Sequence, residues 1–301
     1  MRNAILHRNP LLRSSAFSIQ PYAYVLPAVL VIAFVYLYPM IEVCRFSLLN
    51  MQASPVRFVG MRNYLMVFRD KRFYGSLLHN FLLLANVPII ASLSLILATI
   101  INDHLPGWRF YRSLVLIPYV VPTVAIGFAM SNFFSLNGGF NQVLGLIGLG
   151  FLRKQWIVDP AWALPTVSAV IIWCQMGFGA ILFLARLGSM PEEILEAAYI
   201  DGAGWWRRFW KLIVPELATV IEFYVTLLII VMLSQVFAFI FVMTNGGPGY
   251  GTWVTEFFIY KEAFHYNRMG HATVAAVVLL LLTVGFILLS QRFRERLVEE
   301  Y

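Results

Sequence analysis

Charge is scarce in this sequence. Only 12% of its 301 residues are Asp, Glu, Lys or Arg, against 60% hydrophobic, and the mean hydropathy is +0.76. Soluble domains carry about 25% charged residues. One aqueous core could not hold this much apolar surface, so lipid is the expected solvent. Cysteine is nearly absent. Cys44 and Cys174 sit in or beside apolar runs with no CxxC or Cys/His spacing, which leaves no disulfide framework and no metal site to read. No GxxxxGK[ST], HExxH or GxSxG occurs, so the chain has no motif for cradling nucleotide phosphates, for zinc proteolysis or for a serine nucleophile. The glycines of "GLIGLG" at 145–150 do not fit GxGxxG and read as a flexible loop. His79, His104, His265 and His271 fall outside the apolar runs or at their margins and read as structural.

What is present is a series of long apolar runs. A transmembrane helix needs roughly 20 mainly apolar residues to cross about 30 Å of hydrocarbon. Six segments qualify: 22–41, 81–101, 114–134, 162–185, 217–243 and 272–290. The expected fold class is all-α, a polytopic membrane protein with six transmembrane helices. Arg2, Arg8 and Arg13 precede the first run as in a secretory signal, but the run is long and no small-x-small cleavage site follows, so it reads as a retained span. Pro118 and Pro122 predict a kink in the third span.

An even number of spans places both termini on one side. With cytoplasmic termini, the inner segments hold 12 Lys and Arg in 75 residues and the outer segments 10 in 94. The bias is small because "RDKR" at 69–72 loads the outer side. Short basic clusters directly against spans decide the orientation: "WRFYR" at 108–112, "WWRRFWK" at 205–211 and "RFRER" at 292–296. The net charge of +7 is thereby assigned to membrane surfaces, not to nucleic acid. Trp108, Tyr111, Trp156, Trp162, Trp205 and Trp206 fall near span ends and read as interfacial anchors. No inverted internal repeat of the secondary-transporter kind is visible.

One loop differs from the rest. Residues 189–215 read "SMPEEILEAAYIDGAGWWRRFWKLIVP". Ser189 and Glu192 fit a capping box that starts a helix. Ile194, Ala197, Ala198 and Asp201 give that helix a small-sided face, and Gly202 in "DGAG" can take the left-handed conformation that ends it. A second helix is expected from Trp205, with Trp206, Phe209, Trp210 and Ile213 on one face, Arg207, Arg208 and Lys211 elsewhere, and Pro215 at the first turn of the fifth span. The second half suits an amphipathic element lying in the headgroup layer. The first half does not: its alanines offer lipid little area, and Glu192, Glu193, Glu196 and Asp201 would meet an anionic leaflet unfavourably. Small residues flanked by carboxylates suit docking into a groove on a basic protein partner.

These residues resemble the EAA loop of ABC importer permeases. The match is Glu196-Ala197-Ala198, Asp201-Gly202-Ala203, Phe209, Leu212, Val214 and Pro215. Leu212 and Val214 depart mildly from the usual Ile-x-Leu-Pro ending, and Ala218 and Thr219 stand where a further proline often follows. "FVGMRNY" at 58–64, "RFYRSLVLIPYVVP" at 109–122 and "MTNGGPGYGT" at 243–252 are similar to segments of maltose-type and glycerol-phosphate-type permeases, specifically the first of the two paired subunits. The resemblance implies a type I ABC importer fold: residues 1–75 as tail, first span and outer loop, 76–290 as the core permease domain, and 291–301 as a cytoplasmic tail. It further implies a bacterial or archaeal cytoplasmic membrane location, a second homologous permease, two ABC ATPase subunits that use ATP and Mg, and an extracytoplasmic solute-binding protein. The solute would be a carbohydrate or of glycerol-phosphate type. Residues Glu196, Ala197, Ala198, Asp201, Gly202, Ala203, Phe209 and Pro215 would couple the spans to the ATPase, and the chain itself would hold no cofactor and would not be an enzyme.

The rival class is a gradient-driven secondary carrier of small polar solutes. Such carriers place ionisable relays inside spans. Only Glu222 lies well within one here, a turn or two from its end, where it reads as a snorkelling or helix-packing acid. A membrane-embedded enzyme finds no supporting cluster of His, Asp or Ser. For the substrate path the candidates are Trp173, Gln175 and Gly177 in the fourth span and Ser234 and Gln235 in the fifth. Amides, hydroxyls and rings suit sugars; equally, Ser234 and Gln235 could bond across helices as packing glue.

Overall fold

The computed structural model describes the backbone of residues 20–103 and 107–298; the side chains of residues 20–23, 192, 195, 196, 199 and 293–298 lie outside it. The basic residues Arg2, Arg8 and Arg13, the His104 reading and the Glu196 side chain therefore fall outside the described residues. Among the described residues, four helical stretches are long and apolar enough to cross a membrane: Tyr24–Phe46, Lys71–Asn102, Ala163–Leu187 and Met269–Arg292. Two more spans arise if each of two bent helix pairs counts as one.

The first stretch comprises α1 (Gln20–Ile32), a π turn (Ala33–Leu37) and α2 (Tyr38–Phe46). None of its apolar window is buried, and Phe34 and Tyr36 face outward. A two-residue antiparallel ladder, Leu49–Asn50 with Arg57–Phe58, follows and is a small departure from an all-helical chain. After α3 (Arg62–Val67), the second span starts earlier than its apolar run suggests. Helix α4 (Lys71–Leu84) is capped by Asp70, whose carboxylate accepts from the Arg72 amide at 2.8 Å, and continues past Ala85 as α5 (Asn86–Asn102).

The third span is a break and not a kink. Helix α6 (Trp108–Val120) meets α7 (Thr123–Phe133) at 97°. Pro118 is accommodated inside α6, whereas Pro122 drives Val121 to an extended ψ of 134° and ends the helix. Helix α8 (Gly139–Leu146) leads to the unbroken α9 (Ala163–Leu187). The 189–215 loop comprises α10 (Glu192–Ile200), α11 (Trp205–Arg208), a π turn (Phe209–Ile213) and α12 (Val214–Glu216). It enters α13 (Ala218–Ser234) through a bend of 74°. The expected fifth span is also broken: α13 stops at Ser234 and α14 (Phe237–Met243) restarts beyond Gln235. Helix α15 (Thr255–Tyr260) and a further π turn then lead into α16 (Met269–Val298).

The core is built where α9 packs on α5, flanked by α6 and α13, around Ile90, Ala98, Val167, Ile171, Phe183 and Leu228. Polar glue joins it: the Ser94 hydroxyl lies 2.7 Å from its own-helix Ile90 carbonyl and 3.1 Å from Met176 O on α9. A second packed zone joins α4, α15 and α16 through Phe73, Phe257, Phe258 and Val274. Its rim holds an ionic cluster. Glu262 is fully buried and accepts from Arg72 at 3.0 Å, with His271 Nδ1 at 3.3 Å and Arg268 at 3.9 Å. "RDKR" thus supplies Arg72 and Asp70 to an internal network.

Candidate functional site: an elbow loop and a cavity between broken spans

The 189–215 loop forms the helix, elbow and second helix that its sequence predicts, with three corrections. First, Ser189 does not stand at the start of the helix. The Ser189 hydroxyl donates to the Arg186 carbonyl at 2.7 Å, closing the end of α9, and α10 begins only at Glu192. Second, the four residues of the expected apolar face do not act together. Phe209 (3% exposed) and Ile213 are buried, while Trp206 (63%) and Trp210 (61%) face outward. The π turn at Phe209–Ile213 inserts an extra residue into the helical register and rotates the faces apart. Third, Arg208 is buried, unlike Arg207 and Lys211.

The elbow itself has a specific geometry. Gly202 takes φ +66°, with open space where a Cβ would stand. The Ala203 amide donates back to Ala198 O at 3.0 Å and the Asp201 amide to Ala197 O at 2.9 Å, which is the wrap-around end of a Schellman turn. Two ties hold the loop to the spans. Trp205 Nε1 donates to Asp103 Oδ2 at 3.1 Å at the end of α5, and Arg186 at the end of α9 pairs with Glu216. Trp205 also stacks on Phe209 with centroids 5.2 Å apart. Among the described residues of α10 and the elbow, Ala197, Asp201 and Gly202 are exposed and Ile200 is 86% exposed. Pro215 lies in the short helix just before the 74° bend.

The second candidate region is a cavity of about 450 Å³ beside the two breaks. It is lined by Pro118, Tyr119 and Val121 before the first break, Gln175 and Phe178 of α9, Tyr224 of α13, and Gln235 at the second break. Of the five residues singled out in the spans, the cavity brings Gln175 and Gln235 together. Trp173 is partly exposed and does not line it. The Ser234 hydroxyl lies 3.4 Å from Thr283 of α16. Gly177 is buried against α6, where a Cβ would stand 2.1 Å from the Val115 carbonyl oxygen. Gly177→Ala is accordingly expected to push α6 and α9 apart and to cost about 1–3 kcal/mol, read as a lowered unfolding temperature of the solubilised protein; an unchanged temperature would show that the two helices separate freely.

Sequence reasoning missed the rings of this cavity. Tyr119 and Phe178 stack at 4.7 Å, and the Tyr224 hydroxyl donates to Gln175 O at 2.7 Å. Any signal for them lay in aromatic residues at mid-span, which apolar runs rich in Phe conceal.

Comparison with known proteins agrees with this arrangement. Residues 90–298 match the family model described as "Binding-protein-dependent transport system inner membrane component". The chain is 31% identical to the sn-glycerol-3-phosphate transport system permease protein UgpA of Pectobacterium atrosepticum, over 96% of this chain and 97% of that one. It is 30% identical to the lactose transport system permease protein LacF of Rhizobium radiobacter, over 93% and 96%. A chain of the bacterial alginate ABC transporter, crystallised with alginate pentasaccharide-bound periplasmic protein, superposes with a TM-score of 0.83 at 21% identity, covering 96% of this chain and 98% of that one. With the broken-span bundle and the elbow loop, these matches show that the chain belongs to the binding-protein-dependent transport system inner membrane components, as a multi-pass, non-catalytic permease subunit of the sugar and glycerol-phosphate ABC importer type.

Proposed function

We propose that this chain is the first of two paired permeases in an importer for a carbohydrate or a glycerol-phosphate-type solute, with both termini cytoplasmic. Two ATPase subunits supply ATP hydrolysis with Mg, and a solute-binding protein delivers cargo on the opposite face. The observation that carries the reading is the elbow: α10 and the turn after it expose Glu193, Ala197, Asp201 and Gly202, while the loop beyond them is tied to α5 and α9 through Trp205–Asp103 and Arg186–Glu216. A partner gripping α10 would pull on the spans through those ties. A two-state bundle needs such a biased contact to switch. In the cavity, the Gln175 and Gln235 amides and the Tyr119–Phe178 rings suit a hydroxylated solute.

The test is reconstitution of the chain with its co-purifying partners in liposomes. Uptake of the solute bound by the co-purified binding protein should require ATP and ignore protonophores, and Ala197→Cys should cross-link to the ATPase subunit. Uptake that persists without the ATPase, or collapses with the proton gradient, would favour a gradient-driven carrier instead.

A further inference from the structure

The fifth span is interrupted between Ser234 and Phe237, and two side chains from elsewhere in the chain fill the gap. Asn80 of α4 is 1% exposed and donates through Nδ2 to the carbonyls of Met232 (3.2 Å) and Leu233 (3.5 Å), in the last turn of α13. Its Oδ1 accepts from the Thr255 amide at 2.7 Å. Glu256 of α15 accepts at Oε1 from the Val236 amide at 3.2 Å and at Oε2 from Asn80 Nδ2 at 3.3 Å. One half-helix therefore ends on Asn80, the next begins on Glu256, and the two side chains are bonded to each other. Helix ends leave carbonyls and amides that must find partners where water is excluded. Gln235, between the halves, lines the cavity.

We propose that Asn80 and Glu256 are positioning residues: they form a clasp that holds the fifth span broken and presents Gln235 to the cavity, and protonation of Glu256 governs its closure. The functional consequence rests on the transport reading above; the clasp itself does not. Burial, the largest influence, pushes the Glu256 carboxyl up to about 7, against the opposing pull of nearby backbone amides, its own first among them, and of Asn80. In water a glutamate titrates near ~4.3. Opening the clasp returns the carboxyl to water and releases a proton, so the closed form is favoured at low pH. Between pH 6 and 8 opening should gain roughly tenfold by linkage.

The elements packed around Glu256 bring few competing charges. Helix α4 carries Lys71, Arg72 and Tyr74 near its start and His79, whose Nδ1 lies 2.7 Å from Trp253 O. Tyr260, Lys261, Glu262 and His265 follow on α15 and its π turn, and α16 brings His271. Helix α14 has no titratable side chain, and Glu222 and Tyr224 lie toward the other end of α13. Arg72, Glu262 and His271 are bound to one another, and no described hydrogen bond or ion pair joins His79, Tyr260, Lys261 or His271 to Glu256.

Hydrogen–deuterium exchange of the Val236 amide, in the assembled importer in lipid nanodiscs, tests the clasp directly. After correction for the intrinsic rise of exchange with pH, protection should fall about tenfold from pH 6 to 8 in the wild type. Glu256→Gln, a neutral isostere, should stay protected throughout, and the pH profile of uptake should lose its component near neutrality. Glu256→Leu and Asn80→Leu should be unprotected at both pH values; should either fail to assemble, the comparison of wild type with Glu256→Gln decides alone. A flat wild-type profile, or the same pH dependence in Glu256→Gln, overturns the inference. Absence of ATP-driven uptake in the same wild-type particles would instead overturn the transport reading and leave the exchange result standing.

Discussion

Gly202→Pro is expected to leave the chain inserted and folded while ATP-driven uptake falls by two orders of magnitude or more. Gly202 sits at φ +66°, and proline is locked near −65°, so the Schellman turn cannot form. A penalty of roughly 3 kcal/mol or more at the elbow corresponds to at least about a hundredfold loss of the productive geometry. The spans do not depend on that turn, because the loop's buried side chains among the described residues, Met190 before α10 and Arg208, Phe209 and Ile213 after the elbow, lie outside it. Gly202→Ala gives the calibration: a left-handed alanine costs about 1–2 kcal/mol, and open space surrounds the position, so uptake should drop only several-fold to about thirtyfold. Glu196→Lys, which reverses charge on the exposed helix, should also uncouple hydrolysis from uptake. Membrane yield, ATPase rate and uptake are measured on the same preparations. Normal coupled uptake in both Gly202→Pro and Glu196→Lys would refute the proposed role of the loop.

The second large effect is on stability. Glu262→Ala should destabilise the protein by about 3 kcal/mol, at the low end of what breaking a buried ion pair costs. The fully buried carboxylate holds Arg72, His271 and Arg268 together, joining α4 to the start of α16. Without it those groups face one another with only Asp70 to offset them. The double variant Arg72→Met with Glu262→Leu should recover part of the loss, because the buried carboxylate and its 3.0 Å partner go together, while Arg268 and Asp70, which remain, are less buried. Denaturant titrations in one detergent compare the three proteins. Equal stability of Glu262→Ala and wild type would show the cluster to be ornamental.

The six apolar runs could be read from sequence because spanning length and hydropathy are local properties. The elbow could be read too, since "DGAG" between two differently faced segments has few other folds. Other features depend on contacts that sequence separation hides. Pro118 and Pro122 look alike in sequence, yet only Pro122 breaks the span. No glycine or proline marks the gap at Gln235; it is made by Asn80 and Glu256, which arrive from other elements. Ser189 looks forward to a helix in sequence, yet its hydroxyl bonds the Arg186 carbonyl behind it. A glycine such as Gly177 carries no mark of whether its bare face meets a cavity or a neighbouring helix. "RDKR" weighed against the orientation because its charges were counted as free, whereas Arg72 and Asp70 neutralise each other inside the fold.

The first span leads to a different consequence. From Tyr24 to Leu37 its oily face has no buried side chain, and only its end, α2, packs on α16, so most of its side chains are judged by acyl chains or by a neighbouring subunit and not by jigsaw fit. Such a mast tolerates wholesale rewriting: exchanging Leu, Ile, Val and Phe along it should be nearly silent in the isolated polypeptide, and any position that refuses exchange would mark where another molecule leans on it.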